Sequence, residues 1–373
     1  MDRKMFILVV FLDLKKAFDT VNHEILLRKM EIYGATGNAL NLMKSYLTDR
    51  KQICQLNGVS STENRIGCRI PQGSILGPLF FLLYINDLPE CLRQTTPRLF
   101  ADDTNLTATG KTVEEVERDM NGDLENVKNW LLANKLSLNV AKTEFLLIGS
   151  HYNIRTITAQ PSIGIGHNSL KQVTHSKVLG VEIDQFLSWD KHVHSIAKKL
   201  TSGIGAIRRI GEFVDTLVAA HNAIVQPHFN YCSEVGDTLG EGLPKRLQKL
   251  QNRSARIITH MSNETPHQEA LKALSWETLE IQRTKAKAKY MFRVVNGMAP
   301  ACLTDLFTGK QDVTNYSLRG SSTSLQLPLP KTESGKKSFP YEGAKAWNSI
   351  TENLRNCKRV SSFKAEIATH TLF

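Results

Sequence analysis

Phe6-Ile7-Leu8-Val9-Val10-Phe11-Leu12-Asp13 is a run of seven apolar residues closed by a carboxylate. An unbroken apolar run of that length reads as a strand buried on both faces. It is too short to span a membrane, and no cleavage-site pattern follows it. An acid at the end of a buried strand calls for partners, because a desolvated carboxylate is costly alone. A second acidic signal, Asp102-Asp103, sits inside Phe100-Ala101-Asp102-Asp103. Residues 98–101 and 104–109 read as two short strands with this pair near their turn.

Working outward, Ser74 can cap a helix from Ile75 to Asp87, apolar nearly all round and therefore expected to be buried. Thr112 and Glu115 form a capping box. It opens a helix in which Val113, Val116, Met120, Leu124, Val127 and Leu131 recur every three or four positions. Residues 144–148 form a further strand. The order from 6 to 148 is strand, helix, strand, strand, helix, strand, the split βαβ or ferredoxin-like arrangement. In such an antiparallel sheet the first strand can lie beside the central hairpin, so Asp13 and Asp102-Asp103 could meet at one edge. Residues 24–70 become an insertion beside this core. The fold class is α+β.

Beyond it, residues 151–176 look irregular, and 177–184 alternate like a strand or hairpin. Helical periodicity resumes at Asp190 and continues in two more helices, the last at about 243–260. Residues 261–373 hold helical stretches around 266–296 and 341–356, with a loop over 319–340. The domain reading is 1–150, a hairpin region 151–190, a three-helix region 191–260 and a basic helical region 261–373.

Composition is that of a globular chain, 41% hydrophobic and 22% charged. The net charge of +11 is uneven. Residues 1–150 carry 18 Lys and Arg against 18 Asp and Glu, whereas 151–373 carry 29 against 18. A neutral half with clustered acids, followed by a basic half, fits metal chemistry plus a polyanion grip, although a solvated basic surface fits the charge equally. Six scattered cysteines with no C-x-x-C pair argue against zinc and against a disulfide scaffold.

Asp13, Asp102 and Asp103 have the chemistry to hold two divalent metals for nucleotidyl transfer. Magnesium takes oxygen ligands, usually one or two carboxylates completed by phosphates and water. Asp-Asp alone is also a common turn dipeptide. Phe18 could pack on a sugar and exclude a 2′-hydroxyl, or could be a core residue. Gln72-Gly73 could approach a base pair closely, with glycine permitting the approach, or could be a turn before a helix. Lys142, just before the strand 144–148, could neutralise a departing pyrophosphate. In the helix at 243–260, Lys245, Lys249, Arg253 and Arg256 share one face at i, i+4, i+8 and i+11, opposite an apolar seam. Such a stripe could track a phosphate backbone or simply face solvent.

These motifs together resemble the reverse transcriptase of non-LTR retrotransposons, of the LINE-type, jockey/CR1-like kind. The first motif reads Phe11-Leu12-Asp13-Leu14-Lys15-Lys16-Ala17-Phe18-Asp19-Thr20-Val21. The second reads Ile70-Pro71-Gln72-Gly73-Ser74-Ile75-Leu76-Gly77-Pro78-Leu79-Phe80, the third Phe100-Ala101-Asp102-Asp103. The fourth reads Asn134-Lys135-Leu136-Ser137-Leu138-Asn139 with Lys142-Thr143. A primer-grip-like motif resembles Leu179-Gly180-Val181 with Leu187-Ser188-Trp189.

The resemblance implies a polymerase palm over 1–150 with a partial fingers insertion, then a helical thumb. It implies Asp13, Asp102 and Asp103 as catalytic ligands of Mg²⁺, with Mn²⁺ as a substitute. Phe18 becomes the sugar gate, Gln72 and Gly73 border the nucleotide, and Lys142 approaches the phosphates. RNA template, DNA primer and dNTPs are the implied substrates, and the nucleus the implied place. The alternative is a catalytically inactive nucleic-acid-binding remnant. Against the family pattern, the chain starts twelve residues before Asp13, so the endonuclease domain and first finger strands are expected to be missing, and Gly236 stands where a Trp is expected.

Overall fold

The computed structural model describes residues 5–71, 73–211, 213–233, 242–312 and 323–369. Two compact units divide between Ser176 and Lys177.

The first unit is built on β1 (Phe6–Leu12), which lies between two antiparallel neighbours. Two helices, α1 (His23–Ile32) and α2 (Gly37–Leu47), follow it. Helix α3 (Gly77–Ile85) precedes the hairpin of β2 (Thr96–Phe100) and β3 (Asp103–Gly110). Then come the long α4 (Val113–Ala133), β4 (Glu144–Ile148) and β5 (Lys171–Val173). The sheet order is β5-β4-β1-β3-β2. Without β5 this is the expected ferredoxin-like sheet, with the first strand beside the central hairpin. Strand β5 joins β4 in parallel. It falls inside the stretch expected to be irregular, because Lys171, Gln172 and Val173 form a short, exposed edge with no apolar signature.

Burial of β1 alternates instead of being complete on both faces. Leu8, Val10 and Leu12 point into the core, where α4 contributes Val116, Met120, Leu124 and Val127. Val9 and Phe11 stand opposite Thr107 and Asn105 of β3 on the other face and are only half-buried. The run is apolar throughout, yet only one of its faces is fully buried.

Helix α3 starts later than expected. Ser74 Oγ still accepts the Gly77 N–H at 2.9 Å, but Pro78 sets the first turn and Ile75 stays 96% exposed. Phe80, Phe81 and Tyr84 are buried, whereas Leu79 and Leu82 face outward, so the helix is apolar on both faces and buried on one.

A buried cation ties the helices together. Lys29 Nζ donates to the Tyr84 carbonyl and to Asp87 Oδ1, each at 2.6 Å, and lies 4.9 Å from the Trp130 ring centroid. Burial pushes the Lys29 ammonium down, and Asp87 opposes that shift. The Tyr84 hydroxyl donates to the Asn134 carbonyl at 2.5 Å, linking α3 to the end of α4.

The hairpin of β6 (His175–Val178), whose first two residues end the first unit, and β7 (Val181–Asp184) leads into α5 (Asp190–Ile210) of the second. Helices α6 (Val214–Ile224), α7 (Gln226–Asn230) and α8 (Gly242–Ile258) pack with it around Leu200, Ile204, Leu217 and Ile258. Helix α9 (Leu279–Val295) contributes Leu279 to that core and Phe292 to a second one. The second core is completed by α10 (Phe339–Ser349) and α11 (Val360–Thr369) through Trp347 and Phe363, the latter stacked 4.5 Å from Phe292.

Asp123, in the middle of α4, has only 1% of its surface exposed. Its carboxylate accepts the backbone N–H groups of Arg93, Gln94 and Thr95 and the Thr95 hydroxyl. Burial disfavours its charge, but these donors outweigh burial and hold the carboxyl below its ordinary value. Its contribution is complete above the unfolded value of about 3.9 and is lost as pH falls through the depressed folded value. Asp123→Asn should cost about 2 kcal/mol at neutral pH and should lack that part of the acid destabilisation. Urea unfolding of wild type and variant across the acid range checks both.

Candidate nucleotidyl-transfer site

The ladder between β1 and β3 ends with Leu12 opposite Thr104. One step further in the same antiparallel register sets Asp13 opposite Asp103. The ladder stops there because the Asp13 backbone turns to another partner. Its N–H donates to Thr143 Oγ1 at 3.2 Å, and its carbonyl accepts the Asn139 N–H at 2.7 Å. Lys15 N–H donates to the Ser137 carbonyl at 2.8 Å, and Leu14 bridges Leu138. The fourth motif is thus a clamp on the first.

The clamp also aims the side chain. Asn139 Nδ2 donates to Asp13 Oδ2 at 3.1 Å. Thr143, itself buried, donates its hydroxyl to the Asn139 carbonyl at 3.0 Å. The sequence reading gave Asn139 and Thr143 no task of their own. The only signal was their place in the fourth motif, since a hydrogen bond spanning 126 residues leaves no local pattern.

Asp102 lies in the β2–β3 turn, with Ala101 in a left-handed conformation at φ 52°. Both Asp102 and Asp103 are exposed. Desolvation at the strand end, followed by the neighbouring charges of Asp102 and Asp13, raises the Asp103 carboxyl above its ordinary value. Mutual repulsion of acids at a strand end is what a divalent cation relieves. Among the described residues no three His, Cys, Asp or Glu side chains are grouped closely enough to hold one ion. The donor set still fits magnesium, which completes one or two carboxylates with phosphate and water oxygens.

Phe18 is half-buried and stacks on Phe81 with ring centroids 4.5 Å apart. Its position is pinned from the second motif: Ile70 N–H donates to the Phe18 carbonyl, and Arg69 N–H to the Val21 carbonyl, both at 3.0 Å. Arg69 Nε also meets Asp19 Oδ1 at 2.9 Å. The segment leading to Pro71 therefore runs beside Phe18. Gly73 has φ +78° with open space where a Cβ would lie, so conformation and not crowding selects glycine there. Gln72 lies outside the described residues. Lys142 is exposed one residue from the clamp.

In the second unit, Leu179 (φ 46°) and Gly180 (φ 84°) form a two-residue hairpin turn of the I′ kind. The Tyr231 hydroxyl donates to the Leu179 carbonyl, and its ring lies 3.4 Å from where a Gly180 Cβ would stand. Asp184 fixes the following turn by accepting the N–H groups of Phe186, Ser188 and Trp189 and the Ser188 hydroxyl. Burial opposes its charge, yet these donors hold its carboxyl low. Lys245, Lys249 and Arg253 are exposed along α8. Arg256 departs from the expected stripe: it is half-buried, and its Nε donates to the Thr265 carbonyl at 3.0 Å. Lys285 and Lys287 are buried against Glu277 and Glu342, so part of the basic excess is neutralised internally. Gly236 lies outside the described residues.

Residues 2–183 match the family model described as reverse transcriptase (RNA-dependent DNA polymerase). The chain is 26% identical, over 267 residues, to the probable RNA-directed DNA polymerase from transposon X-element of Drosophila melanogaster, covering 69% of this chain and 29% of that protein. The polymerase from transposon BS of the same organism is 25% identical over 79% of this chain and 33% of its own length. The polymerase from mobile element jockey of Drosophila funebris is 24% identical, covering 70% of this chain and 29% of that protein. The chain thus spans about a third or less of these relatives. Among solved structures, apo telomerase from Candida tropicalis aligns at 11% identity and a TM-score of 0.41 over 68% of this chain and 42% of that one, too low a score to carry an argument.

Because Asp102 raises the Asp103 carboxyl, Asp102→Asn should move the Asp103 midpoint down toward the ordinary range without reaching it, burial and Asp13 remaining. A raised carboxyl penalises the fold once ionised, so the variant should also melt slightly higher at neutral pH in chelator. Carboxyl-carbon NMR titration and thermal unfolding check the two effects.

Proposed function

We propose that this chain, whose residues 2–183 match the reverse transcriptase family and which is similar to LINE-type, non-LTR polymerases, extends a DNA primer on an RNA template using dNTPs. The observation that carries this reading is the juxtaposition of Asp13 and Asp103 at the end of the β1–β3 ladder, with Asp102 beside them. Asp13, Asp102 and Asp103 would hold Mg²⁺, or Mn²⁺ in its place, supplying activation of the 3′-hydroxyl and neutralisation of the triphosphate.

The chain's own residues do the rest. Asn139 orients Asp13 by taking one carboxylate oxygen and leaving the other for the site. Phe18, fixed by its stack on Phe81 and by Ile70, excludes a 2′-hydroxyl from the sugar position. Gln72 and Gly73 border the nucleotide, and Lys142 meets its phosphates. The Leu179-Gly180 turn holds the primer end, while Lys245, Lys249 and Arg253 follow the phosphate backbone. In this reading the first unit is the palm with part of the fingers, and the three-helix region is the thumb. Among the described residues no helix is long and apolar enough to cross a membrane, and the nucleus is the place that the family resemblance supports.

Primer extension on an RNA template with dNTPs and Mg²⁺ tests the reading. Asp13→Asn and Asp103→Asn should each cost at least about 100-fold in rate, because metal-borne charge stabilisation is worth several kcal/mol. Asn139→Ala should slow extension less, and Phe18→Ala should admit ribonucleotides. If the wild type incorporates nothing yet binds RNA in a salt-sensitive way, the chain is a binding remnant and the polymerase reading fails.

A further inference from the structure

The second unit contains a cleft of about 370 Å³ that none of the roles above uses. One wall is a face of α9, where Leu279, Arg283, Ala286 and Lys289 follow one another at helical spacing. Ala286 is small, so the wall is hollow between the two long cationic side chains. Buried Phe229, Leu247 and Leu279 make an apolar floor. Asn230, at the end of α7, closes one side.

The cations here are unequally satisfied. Lys285 is fully engaged, donating to Glu277 Oε1 at 2.6 Å and to the Ala368 carbonyl at 2.7 Å. Arg283 is half-buried, and among the described residues it meets no carboxylate within ion-pair distance. Among the described residues its one hydrogen bond is from Nε, donating at 3.2 Å to the Leu279 carbonyl one turn back in the same helix. Burial pushes the Arg283 guanidinium down, and the charge of Glu280, outside the cleft lining, only partly opposes that shift. Lys289 is half-buried on the same wall. Three cations, Arg283, Lys285 and Lys289, face a single carboxylate, Glu277. Among the described lining residues this leaves two positive charges in excess.

The amides sharpen this. Gln226 Nε2 donates to Asn230 Oδ1 at 2.8 Å and to Gln282 Oε1 at 3.1 Å. With its oxygen occupied, Asn230 presents Nδ2 as a donor. The lining therefore offers a forked guanidinium, an ammonium and an amide N–H above an apolar floor. A tetrahedral dianion suits such a set, since a guanidinium can bond it bidentately while an ammonium neutralises the remaining charge.

We propose that this cleft binds a phosphoryl group, gripped by Arg283 and Lys289 with Asn230 Nδ2 as the third donor. The phosphoryl group is carried either by a small phosphate or diphosphate or by a nucleic-acid backbone. The site is separate from the carboxylates of the first unit, and its occupancy needs no nucleotide incorporation.

Titration calorimetry of the full chain in chelator, with inorganic phosphate, with diphosphate and with a short oligothymidylate, tests the proposal apart from any polymerase activity. At least one ligand should bind saturably. Arg283→Gln and Lys289→Gln should each weaken binding about tenfold or more, as expected for losing one charge-assisted hydrogen bond, while Arg209→Gln, exposed elsewhere on α5, should not. Binding by phosphate or diphosphate but not oligothymidylate identifies a small ligand; oligothymidylate that competes with phosphate identifies the strand backbone. Absence of saturable binding by all three ligands overturns the proposal, as does binding that survives both substitutions unchanged. Lys289→Gln, on a half-exposed position, keeps the test intact if Arg283→Gln does not fold.

Discussion

Leu12 faces Thr104 across an antiparallel ladder, and the position of every acid at the site is a consequence of that pairing. Strand register is set by period two, so a slip of one residue would carry Leu8, Val10 and Leu12 out of the core together with Asp13 out of the site. The apolar side chains that fix the register and the carboxylate that uses it belong to the same eight residues. Folding energy and the placement of the candidate site are therefore coupled at β1. Substitutions that loosen the contact of Leu8 or Val10 with α4 act on the site through register and not through proximity.

The ladder has to end for Asp13 to be useful. In a continued sheet its backbone would bond β3 and its side chain would be fixed by the pleat alone. Thr143 takes the Asp13 N–H, Asn139 gives its own N–H to the carbonyl, and the Asn139 amide holds one carboxylate oxygen. Two other turns use related chemistry. Asp123 gathers three consecutive backbone N–H groups before β2, and Asp184 gathers those of Phe186, Ser188 and Trp189 before α5. In those cases the carboxylate is spent on structure and lies below its ordinary pKa. Asp103 is raised, because its surroundings supply desolvation and negative charge. Structural acids and those of the candidate site are separated in this chain by the donors around them, not by residue type.

Much of this was legible before any coordinates. The alternation of apolar periods placed β1 to β4 and the helices between them, and the strand order followed from topology alone. What escaped was non-local or short. Strand β5 has three residues and a polar surface, so its pairing with β4 leaves no hydrophobic trace. The double-sided apolar character of β1 and α3 says nothing about which face receives a layer, and each is covered on one side. Helical spacing put Arg256 on the basic stripe, but the Thr265 carbonyl, in the segment after the helix, decided its partner. Lys285 and Lys287 enter the net charge like any other cation, yet each is buried against an acid, Glu277 and Glu342.

That last point bears on what a net charge of +11 means for a partner. A cation buried against an acid contributes to the sum and nothing to a distant polyanion, because the pair's field is dipolar and falls off within a Debye length. The cations that remain available differ in reach. Lys245, Lys249 and Arg253 are solvated, so what they contribute to a polyanion is counterion release, which salt erodes. Arg283 is partly desolvated over an apolar floor, where an anion meets a lower dielectric and less screening. The two sets therefore answer differently to ionic strength: a contact made through α8 weakens steeply with added salt, and one made in the α9 cleft much less. Charge in the second half is thus divided into an electrostatic track and a discrete seat, a distinction that a sum over residues cannot express.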